Sequence, residues 1–243
     1  MPTSFPNPSQ NSSQTDALAV IIGATGGIGA ALLAQLLAEA QFKRVIGLSR
    51  STVPALDLLD EASIQACAQH IAKLALPVRL AIDATGTLSG NGYAPEKSWR
   101  QLDPAQMAHA FAINAIGPAL LMKHFLPLLP QQGKSVFATL SAKVGSIGDN
   151  RLGGWYSYRA SKAALNQLVH TAAIELRRSQ PEAICVALHP GTVATGLSAP
   201  FAKTGLDVLS PAAAATRLLG VLDSVAAADS GGFFNHDGSA LPW

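Results

Sequence analysis

The chain has 243 residues, of which 49% are hydrophobic and 13% are charged, and its formal net charge is +2. This length and apolar content suffice for a globular protein with a sizeable core. The near-neutral charge, without a basic cluster, argues against nucleic acid as a partner. Cys67 and Cys185 lie far apart in apolar segments. They indicate buried thiols in a reducing compartment, the cytoplasm, with no disulfide and no metal site.

The N-terminal segment, residues 1–16, is expected to be a flexible tail. Residues 1–15 are rich in Pro, Ser, Asn and Gln and contain no apolar stretch typical of a signal peptide. The uncharged stretch 17–38 is long enough to cross a bilayer. However, four glycines interrupt it, and it divides into a β-rich part and a helical part. We therefore expect a soluble chain without a membrane segment.

Short segments rich in β-branched residues alternate with helix-like segments along the rest of the chain. The predicted strands are 18–22, 44–48, 78–82, 135–139 and 183–187, and the predicted helices are 28–41, 61–73, 104–128, 157–178 and 211–227. This alternation is typical of βαβ units, in which helices cover both faces of a parallel sheet. The sequence predicts a single doubly wound α/β domain of the Rossmann type over 17–243, with its ligand at the carboxyl ends of the strands.

The first predicted strand is followed by the loop Gly23-Ala24-Thr25-Gly26-Gly27-Ile28-Gly29 and then by a helix. Glycines let the backbone turn tightly and approach a pyrophosphate, and the free N–H groups at the helix start attract the anion. A glycine-rich loop alone is also compatible with a plain tight turn. Its position directly between a strand and a helix favours dinucleotide binding.

The second predicted strand ends at Ser49-Arg50. Enzymes that prefer NAD usually carry an acid about twenty residues after the glycines, where it binds the ribose hydroxyls. A hydroxyl followed by an arginine suits a phosphate instead, which favours NADP(H) over NAD(H). The alternative is a solvated arginine at a strand end. Asp57-Leu58 could receive the adenine amino group, or Asp57 could cap the following helix.

The later predicted strands also end in small or turn-forming residues, where a flat cofactor would need clearance. These strand ends are Asp83-Ala84-Thr85-Gly86, Ser141 and His189-Pro190-Gly191-Thr192-Val193. Each loop by itself is ordinary. Together with the two earlier loops they place five such segments at one edge of the sheet, which predicts a dinucleotide site there.

The segment GWYSYRASKAAL, residues 154–165, contains two of the three tyrosines. On a helix, Tyr158 and Lys162 lie on one face, at i and i+4. A tyrosine with a reference pKa of ~10 needs a pKa lower by ~2–3 units, or about 3–4 kcal/mol, to exchange protons near neutrality. A lysine charge about 4 Å away supplies on the order of 4 kcal/mol. Tyr158 is the predicted proton carrier and Tyr156 a packing or hydrogen-bonding neighbour, the alternative being an incidental pair on a surface helix.

These motifs together resemble the short-chain dehydrogenase/reductase family. The resemblance rests on YRASK at 158–162, the glycine loop, DATG at 83–86, INAIG around Asn114 and HPGTVAT at 189–195. The segments GSIGDNRLGGWYSYRASKAALNQ, LHPGTVATGLSAPF and HDGSALPW are similar to the branch of C-factor proteins and sniffer-type carbonyl reductases. The resemblance implies a Rossmann-type fold that binds NAD(P)(H) and passes a hydride between nicotinamide and a carbonyl or alcohol.

The resemblance also implies individual roles. Tyr158 would protonate the carbonyl oxygen, Lys162 would lower the pKa of Tyr158 and bind the nicotinamide ribose, and Asn114 would hold a proton-relaying water. Asn114 could instead serve only a helix kink beside Gly117-Pro118. The implied cofactor contacts are Gly23, Thr25, Gly27, Ile28 and Gly29 for the pyrophosphate, Asp57 for the adenine, Ala84, Thr85 and Gly86 for the adenosine ribose, and Pro190, Gly191, Val193 and Thr195 for the carboxamide.

The sequence departs from the family pattern at the serine that holds the substrate carbonyl oxygen. Ile22 before the glycine loop and DATG in place of NAG are milder departures at backbone-dominated sites. The family's serine is the second in Ser-Ser-x-x-Gly, a position that Ala142 occupies here, with Ser141 one residue early. Adjacent strand residues face opposite sides, so either a bulge turns Ser141 inward, or Ser146 or a water replaces it. We favour Ser141, because losing one donor to the oxyanion would cost ~3 kcal/mol or more.

Three functions are compatible with these features. An NADPH-dependent carbonyl reductase acting on a small-molecule carbonyl is the main expectation. A C-factor-like signalling protein with little turnover is the alternative, since fold does not imply function. The missing acid at Ser49 disfavours an NAD-dependent alcohol dehydrogenase. We expect neither nucleic acid nor a membrane as a partner.

Substrate specificity and assembly are the least constrained features. We expect the substrate wall in the loop 196–207, with Leu197, Pro200 and Phe201 as apolar candidates, and in 147–155. The Ala- and Leu-rich helices 104–128 and 157–178 could pair across a two-fold axis to give a homodimer or tetramer. Burial inside one subunit would explain the same residues.

Overall fold

The structure, a computed structural model, describes residues 16–90, 92–197 and 208–243. The expected flexible tail, apart from Asp16, and the greater part of the expected substrate loop lie outside these residues. That loop includes Pro200 and Phe201. Asp16 forms an ion pair with Lys43, with 2.8 Å between Oδ1 and Nζ.

Six parallel strands form the main sheet in the order β2-β1-β3-β4-β5-β8. The strands are β1 (Leu18–Ile22), β2 (Arg44–Leu48), β3 (Val78–Asp83), β4 (Ser135–Leu140), β5 (Ala183–His189) and β8 (Phe233–Asn235), with a separate pair of β6 (Thr192–Val193) and β7 (Val208–Leu209). The α-helices are α1 (Gly27–Glu39), α2 (Glu61–Ala72), α3 (Pro104–Phe111), α4 (Gly117–Phe125), α5 (Tyr156–Ser179) and α6 (Pro211–Ser224). The predicted doubly wound α/β architecture is confirmed.

Side chains of β1 alternate between two apolar cores, one on each face of the sheet. Leu18, Val20 and Ile22 pack in a core that α2, α4 and α5 cover, whereas Ala19 and Ile21 pack in a core that α1 and α6 cover. All five side chains are fully buried. Burial on both faces explains why the strand is continuously apolar, with no alternation of polar residues.

The predicted helix 104–128 is one continuous helical segment with an irregular middle. A π-helical turn, Ala112–Ile116, joins α3 to α4. By length and composition alone, Pro104–Leu128 is apolar enough to cross a membrane. Its inward residues Leu121 and Phe125 are fully buried in the core beside α5, and a core helix of this kind passes the same test.

The strand order reverses at β1, which has β2 on one side and β3 on the other. The chain leaves β1 and β3 at the same edge of the sheet, so the loops that follow them flank one crevice. Both cysteines, Cys67 and Cys185, are buried and free. Among residues 16–90, 92–197 and 208–243, no cluster of three or more His, Cys, Asp or Glu side chains could hold a metal ion.

Candidate active site

The glycine loop after β1 has no room for side chains at two positions. Gly23 has a φ of +82°, and a Cβ there would lie 3.0 Å from Thr85 Cγ2. A Cβ on Gly29 would lie only 2.2 Å from the Gly23 carbonyl oxygen. The loop therefore needs glycine at both positions, and it presents bare backbone and the start of α1 to the crevice.

A cleft of about 470 Å³ lies at this carboxyl edge of the sheet. Predicted cofactor contacts from the first three strand ends line it together, namely Gly23, Thr25, Ser49, Arg50, Asp57, Leu58, Ala84, Thr85 and Gly86. Its size is within the range of small-molecule and cofactor sites. His109 and Ile113 also line the cleft. Sequence reasoning missed these two, because only the folded helix brings them to the strand ends.

The remaining predicted contacts lie beside this cleft. Gly27, Ile28 and Gly29 form the first turn of α1. Pro190, Gly191, Val193 and Thr195 follow β5, and Gly191 has a φ of +81°. A Cβ on Gly27 would lie 2.7 Å from Thr195 Cγ2, so this segment packs against the glycine loop. The structure thus brings the loop after β5 to the pyrophosphate loop, on the side away from Ser49.

The end of β2 forms a compact turn around Ser49. The Ser49 Oγ lies 3.0 Å from Ser51 Oγ and accepts from the Ser51 N–H at 3.2 Å. Arg50 is exposed at the rim of the cleft, and no carboxylate within the described parts of the chain forms an ion pair with it. Two hydroxyls and one uncompensated cation at this rim suit an anionic group.

Asp57 does not cap α2, which was one of the two roles considered for it. Its Oδ1 accepts from the Leu59 N–H at 3.0 Å inside its own turn, and Asp60 supplies the cap by accepting from Ala62 N. Asp57 and Leu58 line the cleft instead, where the adenine contact stays a prediction.

Tyr158 and Lys162 lie one turn apart on α5, and Asn114 approaches Lys162 from the π-helical turn. A Cβ on Gly86 would lie 3.4 Å from Asn114 Oδ1 and 3.5 Å from Lys162 Nζ, so three predicted site residues meet at this point. Lys162 is buried, and its Nζ donates to the Leu140 carbonyl at 2.8 Å. The fold therefore brings Asn114 and Lys162 beside Gly86, which lines the cleft.

Tyr158 does not have a lowered pKa in this structure, so the expected effect of Lys162 on the phenol stays a prediction. Burial raises the pKa of the Tyr158 phenol to about 12. Burial also lowers the pKa of Lys162 to about 8, against the opposing charge of Asp83. Lys162 Nζ donates to the Leu140 carbonyl, and burial is the cause of the raised pKa at Tyr158. The spacing of the two residues in the sequence does not show how deeply they are buried.

Asn114 anchors the loop after β3. Its Oδ1 accepts from the Thr87 N–H at 2.8 Å, and its Nδ2 donates to the Thr87 carbonyl at 2.9 Å and to Ser161 Oγ at 3.1 Å. Both alternatives for Asn114 therefore have support, since it sits in the irregular turn and also close to Lys162. The water relay stays a prediction.

A family model described as short chain dehydrogenase matches residues 17–205. The chain belongs to the short-chain dehydrogenase family. The C-signal protein of Myxococcus xanthus is 39% identical over 144 residues, which cover 58% of this chain and 81% of that protein. A 1-hydroxy-2-glutathionyl-2-methyl-3-butene dehydrogenase from Rhodococcus sp. strain AD45 is 31% identical over 190 residues, which cover 78% of this chain and 79% of the relative.

Solved structures agree with this assignment. The NADPH-bound carbonyl reductase from chicken fatty liver has a TM-score of 0.82 and 26% identity, and the match covers 95% of this chain and all of that one. The Sniffer carbonyl reductase of D. melanogaster has a TM-score of 0.81 at 21% identity over the same shares, a likeness of fold. The expected similarity to C-factor proteins and carbonyl reductases is confirmed, with the Sniffer match showing a shared fold. The NADPH-bound neighbour supports a nicotinamide cofactor.

In this short-chain dehydrogenase, the hydroxyl of Ser141 already has a partner. Strands β4 and β5 pair without a register shift as far as Leu140 and Leu188, and the next N–H, that of Ser141, donates to the Leu188 carbonyl at 2.7 Å. Ser141 is buried, and its Oγ donates to Asn166 Oδ1 at 2.6 Å. A role for Ser141 at the substrate carbonyl stays a prediction, and it requires this bond to be given up.

Ser146 is the other candidate donor. It is buried, and its Oγ accepts from the Asp149 N–H at 3.0 Å, which leaves its own O–H available to another acceptor. Ala142, at the position of the family's serine, is also buried, but it belongs to neither apolar core of the sheet.

Sequence reasoning missed two buried carboxylates of this short-chain dehydrogenase. Asp83 accepts from Thr85 Oγ1 and Thr139 Oγ1, at 2.5 and 2.7 Å, and burial raises its pKa although these bonds and Lys162 oppose the change. Glu96 binds the start of α5 through Ser157. The sequence shows a turn signal at Asp83. Glu96 is separated from Ser157 by 61 residues, so only the fold reveals the contact between them.

Proposed function

We propose that the chain is an NADPH-dependent carbonyl reductase in which Tyr158 donates a proton to the substrate carbonyl. The observation that carries the proposal is that Lys162 and Asn114 meet at Gly86, which lines the cleft together with the other predicted cofactor contacts. When bound, the reduced nicotinamide supplies the hydride. The chain's own residues hold the cofactor, orient the carbonyl and deliver the proton.

The protonation states of Tyr158 and Lys162 suit the reductive direction. With a pKa of about 12, the Tyr158 phenol carries its proton at neutral pH. With a pKa of about 8, most of the Lys162 side chains are charged at pH 7. A protonated phenol next to a lysine charge is prepared to donate a proton to a developing alkoxide. Lys162 also balances negative charge that appears on the phenol as the proton leaves.

The preference for NADPH over NADH rests on the rim formed by Ser49, Arg50 and Ser51. A charge-assisted bond from an exposed arginine to a phosphate contributes ~1.5 kcal/mol or somewhat more, which corresponds to a preference of roughly ten-fold or greater. The absence of an acid at Ser49 removes the partner that NAD-dependent enzymes use for the ribose hydroxyls. The preference for NADPH therefore follows from the arginine at this rim, which attracts a phosphate, and from the missing acid, which would bind the ribose hydroxyls of NADH.

Signalling is the second candidate function, and the Myxococcus C-signal relative is the observation that favours it. A signalling protein could keep the cleft to bind a nucleotide and still turn over little substrate. Tyr158 and Lys162 are both retained here, as a reductase would need them. This retention makes catalysis the first candidate.

We further propose a cytoplasmic protein that acts on a neutral or apolar small-molecule carbonyl and binds neither nucleic acid nor membranes. Exposed Ile147 and Leu152, which follow β4, support an apolar substrate wall. Exposed Ile116 and Ile174, on the outer sides of the helices Pro104–Leu128 and α5, support a homodimer or tetramer. Light scattering coupled to size exclusion would give the number of subunits.

NADPH oxidation followed at 340 nm against a panel of aldehydes, ketones and quinones tests the proposal. We expect turnover of apolar carbonyls that Tyr158→Phe abolishes, with NADPH affinity within a few-fold of wild type. Binding of NADPH without turnover of any compound would favour the signalling function. A folded chain that binds neither NADPH nor NADH would contradict both functions.

A further inference from the structure

The entry to α5, immediately before the predicted proton donor, has an unusual backbone. Gly153, Gly154 and Trp155 are consecutive residues with φ angles of +63°, +66° and +55°. Trp155 has a side chain in a conformation that favours glycine. It is also the N-cap of α5, and its side chain makes no capping bond. The start of this helix therefore depends on support from elsewhere in the chain.

Glu96 supplies that support from the loop after β3. Its carbonyl accepts from the Trp155 N–H at 2.5 Å, and its Oε2 accepts from the Ser157 N–H at 3.2 Å. The Ser157 hydroxyl donates to Glu96 Oε1. One residue thus binds the α5 entry through both its main chain and its carboxylate.

The charge of Glu96 has no cationic partner in the described parts of the chain. The side chain is buried, with 2% of its surface exposed, and no Lys, Arg or His within 16–90, 92–197 and 208–243 forms an ion pair with it. The carboxylate instead faces the free N–H groups at the start of a 24-residue helix. This end of a helix favours negative charge.

Two further contacts connect the α5 entry with the site. Arg159 donates through Nε to the Gly154 carbonyl and through Nη1 to the Val144 carbonyl, both at 3.0 Å, which ties the segment after β4 to α5. The Trp155 ring packs edge-to-face on the Tyr158 ring, with centroids 6.2 Å apart. Movement of Trp155 would therefore move the neighbour of the Tyr158 phenol.

We propose that Glu96 is a positioning residue for the reductase reaction: by holding Trp155 and Ser157, it fixes the first turn of α5 and thereby the place of the Tyr158 hydroxyl. The effect of Glu96 on turnover rests on the proposed reductase function, whereas its effect on the surroundings of Tyr158 is independent of that function. Glu96 also lines a small cavity that reaches Tyr158, so a loosened α5 entry would admit water beside the phenol.

A carboxylate suits the chemistry of this contact. Both Glu96 oxygens accept bonds from Ser157, whose N–H can only donate and whose hydroxyl can donate or accept. A glutamine has nearly the same shape, so it can accept from the Ser157 N–H and donate to the Ser157 hydroxyl, and it lacks only the negative charge that faces the helix start. Glu96→Gln therefore separates the charge of the side chain from its bonds, and Glu96→Ala removes both.

Kinetics on purified variants with NADPH and an active carbonyl form the first test. We expect kcat to fall by about 10- to 100-fold in Glu96→Ala, the scale of a reacting group misplaced by about 1 Å, and by less in Glu96→Gln, which can keep both bonds to Ser157. The dissociation constant of NADPH should stay within about two-fold, because Glu96 does not line the cofactor cleft. The solvent isotope effect on kcat should rise as proton transfer becomes rate-limiting.

Asp229→Ala is the matched control for lost stability. Asp229 accepts from the Ala226 N–H at 2.8 Å just before β8, at the edge of the sheet opposite the site. This variant should lower Tm while leaving kcat and the solvent isotope effect unchanged. Unchanged kcat in Glu96→Ala, or a fall in kcat that matches only the fraction of unfolded protein, would overturn the proposal.

Carbon NMR of the tyrosine Cζ, in protein without cofactor or substrate, is a second test that does not depend on turnover. The Tyr158 signal is assigned from its loss in Tyr158→Phe. In Glu96→Ala this signal should shift and titrate at lower pH than in wild type, since water reaches the phenol. An unchanged signal and midpoint would overturn the proposal. If the wild-type protein shows no turnover but the Tyr158 signal shifts in Glu96→Ala, the reductase function is refuted and the positioning role of Glu96 is still supported.

Discussion

Replacing Asp83 by asparagine is expected to move the alkaline limb of the pH–kcat profile for carbonyl reduction to lower pH. Burial lowers the pKa of Lys162 to about 8, and the charge of Asp83 is what opposes this change. Asp83 is fixed in place, because it is fully buried and accepts bonds from Thr85 and Thr139. Asparagine keeps the size and one acceptor oxygen but removes the charge.

The size of the effect follows from the pKa of Lys162. A nearby opposite charge changes a pKa by about one unit or more, so the midpoint should move from about 8 to about 7 or below. At pH 7.5 the charged fraction of Lys162 would then fall from about three quarters to about one quarter, a roughly three-fold loss of kcat. At pH 8.5 the loss should approach about ten-fold.

The assay is NADPH oxidation from pH 6 to pH 10 at saturating carbonyl. Thr139→Val is the matched control, since it removes one bond to Asp83 and keeps the charge, and its midpoint should stay within about 0.3 units of wild type. An Asp83→Asn midpoint equal to that of wild type would show that the charge state of Lys162 does not control the alkaline limb. The argument from buried charge would then fail.

Four further substitutions test three individual roles. Tyr158→Phe should remove nearly all turnover, whereas Tyr156→Phe should stay active. Loss of turnover in Tyr156→Phe would instead identify Tyr156 as the proton donor. Arg50→Ala should bring the dissociation constants of NADPH and NADH, measured by fluorescence titration, to within about three-fold of each other. Equal constants in the wild-type protein would contradict the proposed preference for NADPH. Ser141→Ala should lower kcat by about 30-fold, because an oxyanion donor contributes ~3 kcal/mol and the bond to Asn166 that Ser141 must give up costs ~1 kcal/mol. A lower Tm with unchanged kcat would assign Ser141 to the interior alone.

Local patterns in the sequence predicted the fold because each element carries its own signal. The five predicted strands and five predicted helices all form, with ends that differ by at most three residues. The strand β8, only three residues long, was missed because Phe233–Asn235 is too short to show a pattern. The turn Ala112–Ile116 was not distinguished from α-helix, since the neighbouring residues continue the same apolar spacing.

The site was predictable where it depends on strand ends and less so where it depends on burial. Nine of the predicted cofactor contacts line one cleft because parallel strands bring their carboxyl ends together. The pKa of Tyr158 was not predictable, because a spacing of four residues says nothing about desolvation. The partner of Ser141 depends on which face of α5 meets β4, and the contact of Glu96 with Ser157 joins distant segments.

Burial at this site has a chemical consequence that the spacing of Tyr158 and Lys162 alone does not give. Desolvation disfavours the charged form of each group, so it raises the pKa of the phenol and lowers that of the ammonium. At pH 7 the phenol is then fully protonated and the lysine mostly charged, so both groups carry protons before substrate arrives. Alcohol oxidation would need the phenolate, which at a pKa of about 12 forms only about one part in 10⁵ of the resting protein. The resting protonation state therefore supplies the proton that carbonyl reduction needs, and Asp83 sustains it by keeping Lys162 charged in a buried place.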